Sequence, residues 1–118
     1  RAFVILNRFP YTSGHIMVVP FEHQPSFEDV AAPTRAEIME LITRCMQVLR
    51  EIYNPDGFNI GANIGTVAGA GVADHTHFHV VPRWGGDTSF MSTLAGTRVL
   101  PESLEDTYQR LRQAWNRN

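Results

Sequence analysis

HTHFHVVPRW (75–84) sets His75, His77 and His79 at alternate positions and then runs into two valines. The chain has five histidines, so three of them fall within five residues. Alternation is the period of a β-strand, whose successive side chains point to opposite faces. The pattern predicts a strand over 75–82, with the imidazoles on one face about 7 Å apart and Thr76, Phe78 and Val80 turned into a core. Packing alone gives little reason to line a whole strand face with imidazoles, because histidine is only intermediate in its preference for burial.

Upstream of this strand, IGTVAGAGVAD (64–74) is a glycine-rich loop and FNIGAN (58–63) alternates as a second strand. NPDG (54–57) stops a helix predicted over 34–53. Ile38, Leu41, Ile42, Cys45, Leu49 and Ile52 recur there at spacings of three and four, the stripe of a helix lying on a core. TRAE (34–37) reads as its capping box, with Thr34 capping and Glu37 reaching back. FEHQPSFEDVAAP (21–33) is loop with one helical turn. AFVILN (2–7) and HIMVVP (15–20) read as strands joined by RFPYTSG (8–14), an antiparallel hairpin. Downstream, RWGGDTSFMSTLAGT (83–97) is irregular. PESLEDTYQRLRQAW (101–115) is a second amphipathic helix, with Leu104, Tyr108, Leu111 and Trp115 on one stripe. The sum is a single α+β domain over 1–118. The first residue is not Met and already lies in strand-like sequence, so an N-terminal segment is expected to be missing.

The bulk numbers narrow the function. A net charge of −2 argues against a nucleic-acid binder held by a basic face. All ten basic residues are arginine, which excludes lysine-based catalysis and favours bidentate phosphate contacts. The one cysteine, Cys45, cannot form an internal disulfide and falls on the apolar stripe, so a buried thiol is expected. Neither a signal peptide nor a membrane-spanning run is visible, and a cytoplasmic protein with no membrane partner is expected.

Three readings fit the imidazoles. They can be structural. They can hold a metal: two histidines at alternate strand positions reach one zinc, with the remaining ligands drawn from His15, His23, Asp74 or Asp87. The third imidazole cannot easily join, because the triplet spans about 13 Å. Or they can do nucleophilic chemistry at phosphorus. A neutral imidazole attacks the phosphoryl centre while its neighbours bind phosphate oxygens and orient protons. Backbone N–H groups of the glycine-rich loop would add anion binding. Loop residue His23 is expected at the surface, outside the site.

HTHFHVVPRW resembles the signature of the histidine triad (HIT) family, His-X-His-X-His followed by two apolar residues. NRFPYTSGHIMVVP (7–20) resembles the family's early hairpin, and FNIGANIG (58–65) the strand and loop before the triad. The run VVPRWGGDTSF (80–90) is closer to the dinucleoside tetraphosphate phosphorylases and hydrolases than to the purine nucleoside phosphoramidases. The resemblance implies a five-stranded antiparallel sheet with one long and one C-terminal helix, paired as a homodimer.

It also implies site roles. His77 would be the nucleophile and His79 would bind phosphate oxygens, while His75 would complete a hydrogen-bonded relay with His15. Asn7 would hold the ribose hydroxyls, Ile5 would pack on the base, and Asn63 would sit beside the reacting phosphate. Relatives usually carry Ser, Thr or Gln a few residues before the triad. This chain has Gly69, Ala70 and Gly71 there, and backbone N–H groups would substitute. Arg83 would pair with a phosphate or with Asp87. Trp84 would stack on a second base or plug the sheet edge. The implied function is a nucleotidyl hydrolase or transferase acting on phosphoanhydrides such as diadenosine tetraphosphate through a nucleotidyl-histidine. The alternatives are a purine nucleoside phosphoramidase and a catalytically silent nucleotide-binding protein. No cofactor is required, although a divalent cation can accompany the nucleotide.

Overall fold

Alternating apolar runs become strands where they were expected. The computed structural model describes residues 1–7, 14–70, 75–86 and 102–117. Its elements are β1 (Ala2–Leu6), β2 (Ile16–Pro20), α1 (Ala32–Tyr53), β3 (Gly57–Gly61), β4 (Phe78–Arg83) and α2 (Leu104–Arg117), with short 3-10 turns at Phe27–Asp29 and Thr66–Ala68. The sheet order is β1-β2-β4-β3, and every neighbouring pair is antiparallel. Four strands are therefore present among the described residues, not five. The residues themselves offer only four strand-like runs; the fifth came from the family resemblance alone. No helix among the described residues is long and apolar enough to cross a membrane.

One face of the sheet packs under α1. Ile16, Val18 and Val80 join Ile38, Ile42, Cys45, Val48 and Leu49 in the core, with Leu111 and Ala114 of α2. Fully burying each such aliphatic side chain is worth ~1.5–3 kcal/mol. Burial pushes the Cys45 thiol up to about 12, which fits a packing residue. Val48, which is not among the six stripe residues, is wholly buried, whereas Met39 is exposed. A stripe three to four residues wide turns slowly enough around α1 to include position 48 beside Cys45 and Leu49.

Helix ends depart from expectation. Helix α1 starts at Ala32 because Pro33, with its fixed φ, suits the first turn. The capping box does not form: Thr34 is buried inside the helix, and Glu37 instead accepts the Ala2 N–H of β1 at 2.9 Å. Asn54 ends α1 in the left-handed conformation at φ 47°. Helix α2 begins at Leu104, later than expected, because Ser103 caps it through the Asp106 N–H at 3.1 Å. Its buried stripe is Thr107, Leu111 and Ala114, while Leu104 and Tyr108 remain exposed, Tyr108 beside a groove along β1. The Arg44 guanidinium holds the end of α2, donating to the Trp115 carbonyl at 2.6 Å and lying 4.7 Å over its ring.

Candidate active site

The opposite face of the sheet carries the candidate site. The strand register lines up Ile5, Met17, His79 and Gly61 across all four strands. Alternation puts Asn7 and His15 on that same face. Asn7 and His15 close the hairpin ladder, with the Asn7 N–H donating to the His15 carbonyl at 3.0 Å. Gly14 before them adopts φ +87°, and a Cβ there would come within 3.0 Å of Leu49 and 3.1 Å of Tyr53, so only glycine lets β2 begin so close to α1. Gly61 brings no side chain over His79, and a Cβ at that position would meet open space.

The triad itself is only partly strand. The ladder begins at Phe78, so His75 and His77 lie on the extended segment before it. There the partner is a loop: the Thr76 N–H donates to the Gln24 carbonyl at 2.7 Å. Thr76 and Val80 are buried, and Phe78 packs edge-on against Phe27 with centroids 4.8 Å apart, as alternation requires.

His15, which is buried, pairs with the half-buried His79. Nε2 of His15 lies 2.9 Å from Nδ1 of His79, and the ring centroids are 5.0 Å apart. His15 is only 6% exposed. Its burial, and then the neighbouring His79, push its pKa down to about 4. Burial, followed by the charge of His77, also lowers that of His79. The His15 ring is therefore neutral at pH 7 and cannot buffer protons there.

His77 packs its ring edge-on against His79, with centroids 4.9 Å apart. Its Nδ1 lies 3.2 Å from the carbonyl oxygen of His75. A carbonyl only accepts, so Nδ1 carries the proton and Nε2 keeps a free lone pair. The Nδ1 proton of His77 is thus held by a backbone carbonyl, not by a carboxylate.

His75 is directed elsewhere. Its Nε2 donates to the Pro20 carbonyl at 2.8 Å, and its Nδ1 lies 3.2 Å from Nδ1 of His23. The relay expected between His75 and His15 is replaced by two separate pairs, His15 with His79 and His23 with His75. His23 was expected outside the site, yet it edges onto His75 with centroids 5.0 Å apart. No local signal announces this, because the 21–26 loop is brought there by its pairing with Thr76. Two nitrogens 3.2 Å apart suit neighbouring ligands of one tetrahedral zinc, whose Zn–N bonds are about 2.0–2.1 Å. Among the described residues, however, no group of three or more His, Cys, Asp or Glu converges.

The remaining expected residues divide. Ile5 stands exposed in line with His79, and Asn7 contacts His15. Asn63 is exposed and lies near Gly69, where a Cβ would come 3.8 Å from its amide. The N–H groups of Gly69 and Ala70 do not point at a ligand. They donate within the loop's own turn, to Thr66 at 3.0 Å and to Gly65 at 3.1 Å, because the segment closes as a 3-10 turn and uses its donors. Arg83 hydrogen-bonds Asn59. It stands four residues beyond His79, about 13 Å along the strand, so the structure does not gather it with the imidazoles. Trp84 turns to the helix side and meets Tyr53 edge-on at 6.4 Å. Gly71, Asp74 and Asp87 lie outside the described residues.

Comparison with known proteins follows the same lines. The HIT domain family model matches residues 1–86. An AP-4-A phosphorylase of Mycobacterium tuberculosis is 42% identical over 115 residues, which is 98% of this chain and 59% of that protein. A bis(5'-nucleosyl)-tetraphosphatase (asymmetrical) of Schizosaccharomyces pombe is 31% identical over 84 residues, covering 71% of this chain and 46% of that protein. The chain thus spans about three fifths of the length of the phosphorylase, or less of the tetraphosphatase. Among solved structures, a Zn-bound histidine triad family protein from Mycobacterium smegmatis superposes with a TM-score of 0.79. It shares 31% identity and covers 98% of this chain and 78% of its own.

Proposed function

Since the chain belongs to the HIT domain family, we propose that it transfers a nucleoside monophosphate from a nucleotide phosphoanhydride, such as diadenosine tetraphosphate, through a nucleotidyl-histidine. The observation that carries this reading is the hydrogen bond from His77 Nδ1 to the His75 carbonyl, which leaves Nε2 unprotonated beside the His79 ring. In the first step, Nε2 of His77 attacks the terminal nucleotidyl phosphorus. The P–N bond forms as the P–O bond to the polyphosphate breaks, and ATP leaves. In the second step, an acceptor oxygen attacks the same phosphorus and frees His77. His79 holds phosphate oxygens, while Ile5 packs on the base and Asn7 binds the ribose.

The acceptor follows from similarity: 42% identity to a protein named AP-4-A phosphorylase supports inorganic phosphate. Phosphate gives ADP and ATP from diadenosine tetraphosphate, and water gives AMP and ATP. Incubation with and without phosphate, with product identification, tests both levels. ADP that appears only with phosphate is expected. AMP throughout would replace phosphorolysis by hydrolysis, and no turnover would reject the enzyme reading. The proposed chemistry needs no resident cofactor. A homodimer belongs to the same proposal, supported by the exposed Met39 on α1; a monomer mass by light scattering at micromolar concentration would count against it.

A further inference from the structure

His75 and His77 stand outside the sheet ladder, and Pro20 supplies the reason. The Phe21 N–H donates to Arg1 and the Asn7 N–H to His15, so odd-numbered residues of β2 face β1. Ile16, Val18 and Pro20 therefore turn their backbone groups toward β4. Continuing the register one pair beyond Val18↔Phe78 would set Pro20 against Thr76. Such a pair exchanges two hydrogen bonds, and proline has no N–H for one of them. The ladder stops there. The Thr76 N–H donates instead to the Gln24 carbonyl at 2.7 Å, and the Pro20 carbonyl accepts from Nε2 of His75 at 2.8 Å.

One peptide unit then links this arrangement to His77. Its N–H is the Thr76 group held by Gln24. Its carbonyl is the His75 oxygen that accepts the Nδ1 proton of His77 at 3.2 Å. In a planar trans peptide the two groups point opposite ways, so a single rotation moves both. A separation of 3.2 Å is already at the long end of the N–H···O range. A swing of a few tenths of an ångström would release the ring, which could then turn or move its proton to Nε2. Ladder pairing does not hold this segment, and the second tie is a side chain, the His75 imidazole on Pro20.

We propose that His75 is a positioning residue: anchored on the Pro20 carbonyl, it steadies its own carbonyl and so keeps the His77 proton on Nδ1 and the Nε2 lone pair toward the substrate. This rests on the nucleotidyl-transfer reading and gives the first imidazole of the triad a task that needs no proton transfer. A proline at the end of β2 is part of the device, because it leaves a carbonyl that an ordinary ladder pair would have used.

Two amides separate this role from a proton relay. His75→Gln keeps an N–H donor at the place of Nε2, whereas His75→Asn is one bond too short to reach Pro20. Neither side chain can pass a proton along. On diadenosine tetraphosphate with phosphate, His75→Asn should lose about tenfold in kcat with KM within about twofold, and His75→Gln should stay within about threefold of the parent. An equal loss in both would mark a proton-carrying role, and no loss in either would leave His75 without one; each result overturns the proposal. Long-range proton–nitrogen correlation spectra of the 15N-labelled proteins, recorded above the titration of His77, read the second link. The parent and His75→Gln should show the His77 proton on Nδ1, and His75→Asn a larger Nε2–H share. A parent proton on Nε2, or the same ring nitrogen shifts in all three proteins, overturns the proposal. The spectra need no turnover. A parent that leaves diadenosine tetraphosphate uncleaved removes the transfer reading, and the tautomer comparison still decides whether His75 positions His77.

Discussion

Two imidazole pairs have the same ring spacing but different ring angles, 54° in His15–His79 and 87° in His23–His75. In both, the ring centroids are 5.0 Å apart; the closest nitrogens are 2.9 Å apart in His15–His79 and 3.2 Å in His23–His75. Their surroundings differ. His15 is buried behind Asn7, its pKa pushed down to about 4, whereas His23 stands in solvent on an irregular loop. One hydrogen bond therefore has two meanings. In the dry pair the contact is shielded from bulk water, and the lower local dielectric strengthens it. In the wet pair water competes for both nitrogens, and the contact is worth little. His77 stands between the pairs, bonded to the backbone of His75 and packed against the ring of His79.

The largest effect is expected at that junction. His77→Asn should keep the fold and nucleotide binding and lose turnover by three or more powers of ten, roughly 4 kcal/mol or above. Turnover within about tenfold of the parent would remove His77 as the nucleophile. Next comes the dry pair: His15→Gln should lower kcat on diadenosine tetraphosphate by about 10²–10³, the range of a displaced acid–base partner, with a smaller change in KM. An equal loss from His23→Gln would erase the distinction between the pairs.

Stability against pH sharpens the same contrast. His15 has a folded-state pKa of about 4 against an ordinary value of 6.5. Between those values the unfolded chain binds more protons than the folded one. Stability is therefore complete above about pH 6.5 and is lost as pH falls toward 4, by on the order of 3 kcal/mol. The lowered pKa of His79 acts with the same sign. Carboxylates enter below this window. Burial pushes Glu102 up, but hydrogen bonds from Tyr53, Arg110 and Thr107 outweigh it and hold the group below its ordinary range. Melting temperature measured from pH 7 to 4.5 should fall, and His15→Gln should flatten the fall. An unchanged slope in that variant would move the effect to other groups.

How much of this the sequence carried depends on how local each signal was. Alternation placed β1, β2, β3 and the imidazole strand, and the spacing of Ile38, Ile42, Cys45 and Leu49 placed α1, because both periods are written in neighbouring residues. The triad was legible for the same reason. The partners of its members were not. The contact between His15 and His79 spans 64 residues and exists only through the register of β2 on β4. The meeting of His23 with His75 needs a loop with no period at all. Arg83 and Trp84 follow the triad directly, which made them attractive, but strand geometry carries one about 13 Å along the sheet and turns the other to the helix side. Gly69 and Ala70 looked like anion donors until the turn that uses their N–H groups was visible.

The smallest effect is expected at the wet pair, and it tests the comparison from below. His23→Gln should change unfolding free energy by no more than about 0.5 kcal/mol, as for surface positions away from caps, cavities and buried charges. Turnover should stay within about threefold, because His23 touches neither His77 nor His79 in the contacts described, and His75 keeps its bond to the Pro20 carbonyl. Two measurements separate this from the competing use of the pair. The nitrogens are spaced as two zinc ligands would be, but the described residues supply no third. Zinc at a few micromolar should therefore leave the melting temperature of the parent within a degree or so of its metal-free value. A rise of several degrees in the parent that His23→Gln abolishes would show a cation held between the two imidazoles. The exposed pair would then be a ligand site, and burial would no longer explain why the two pairs differ.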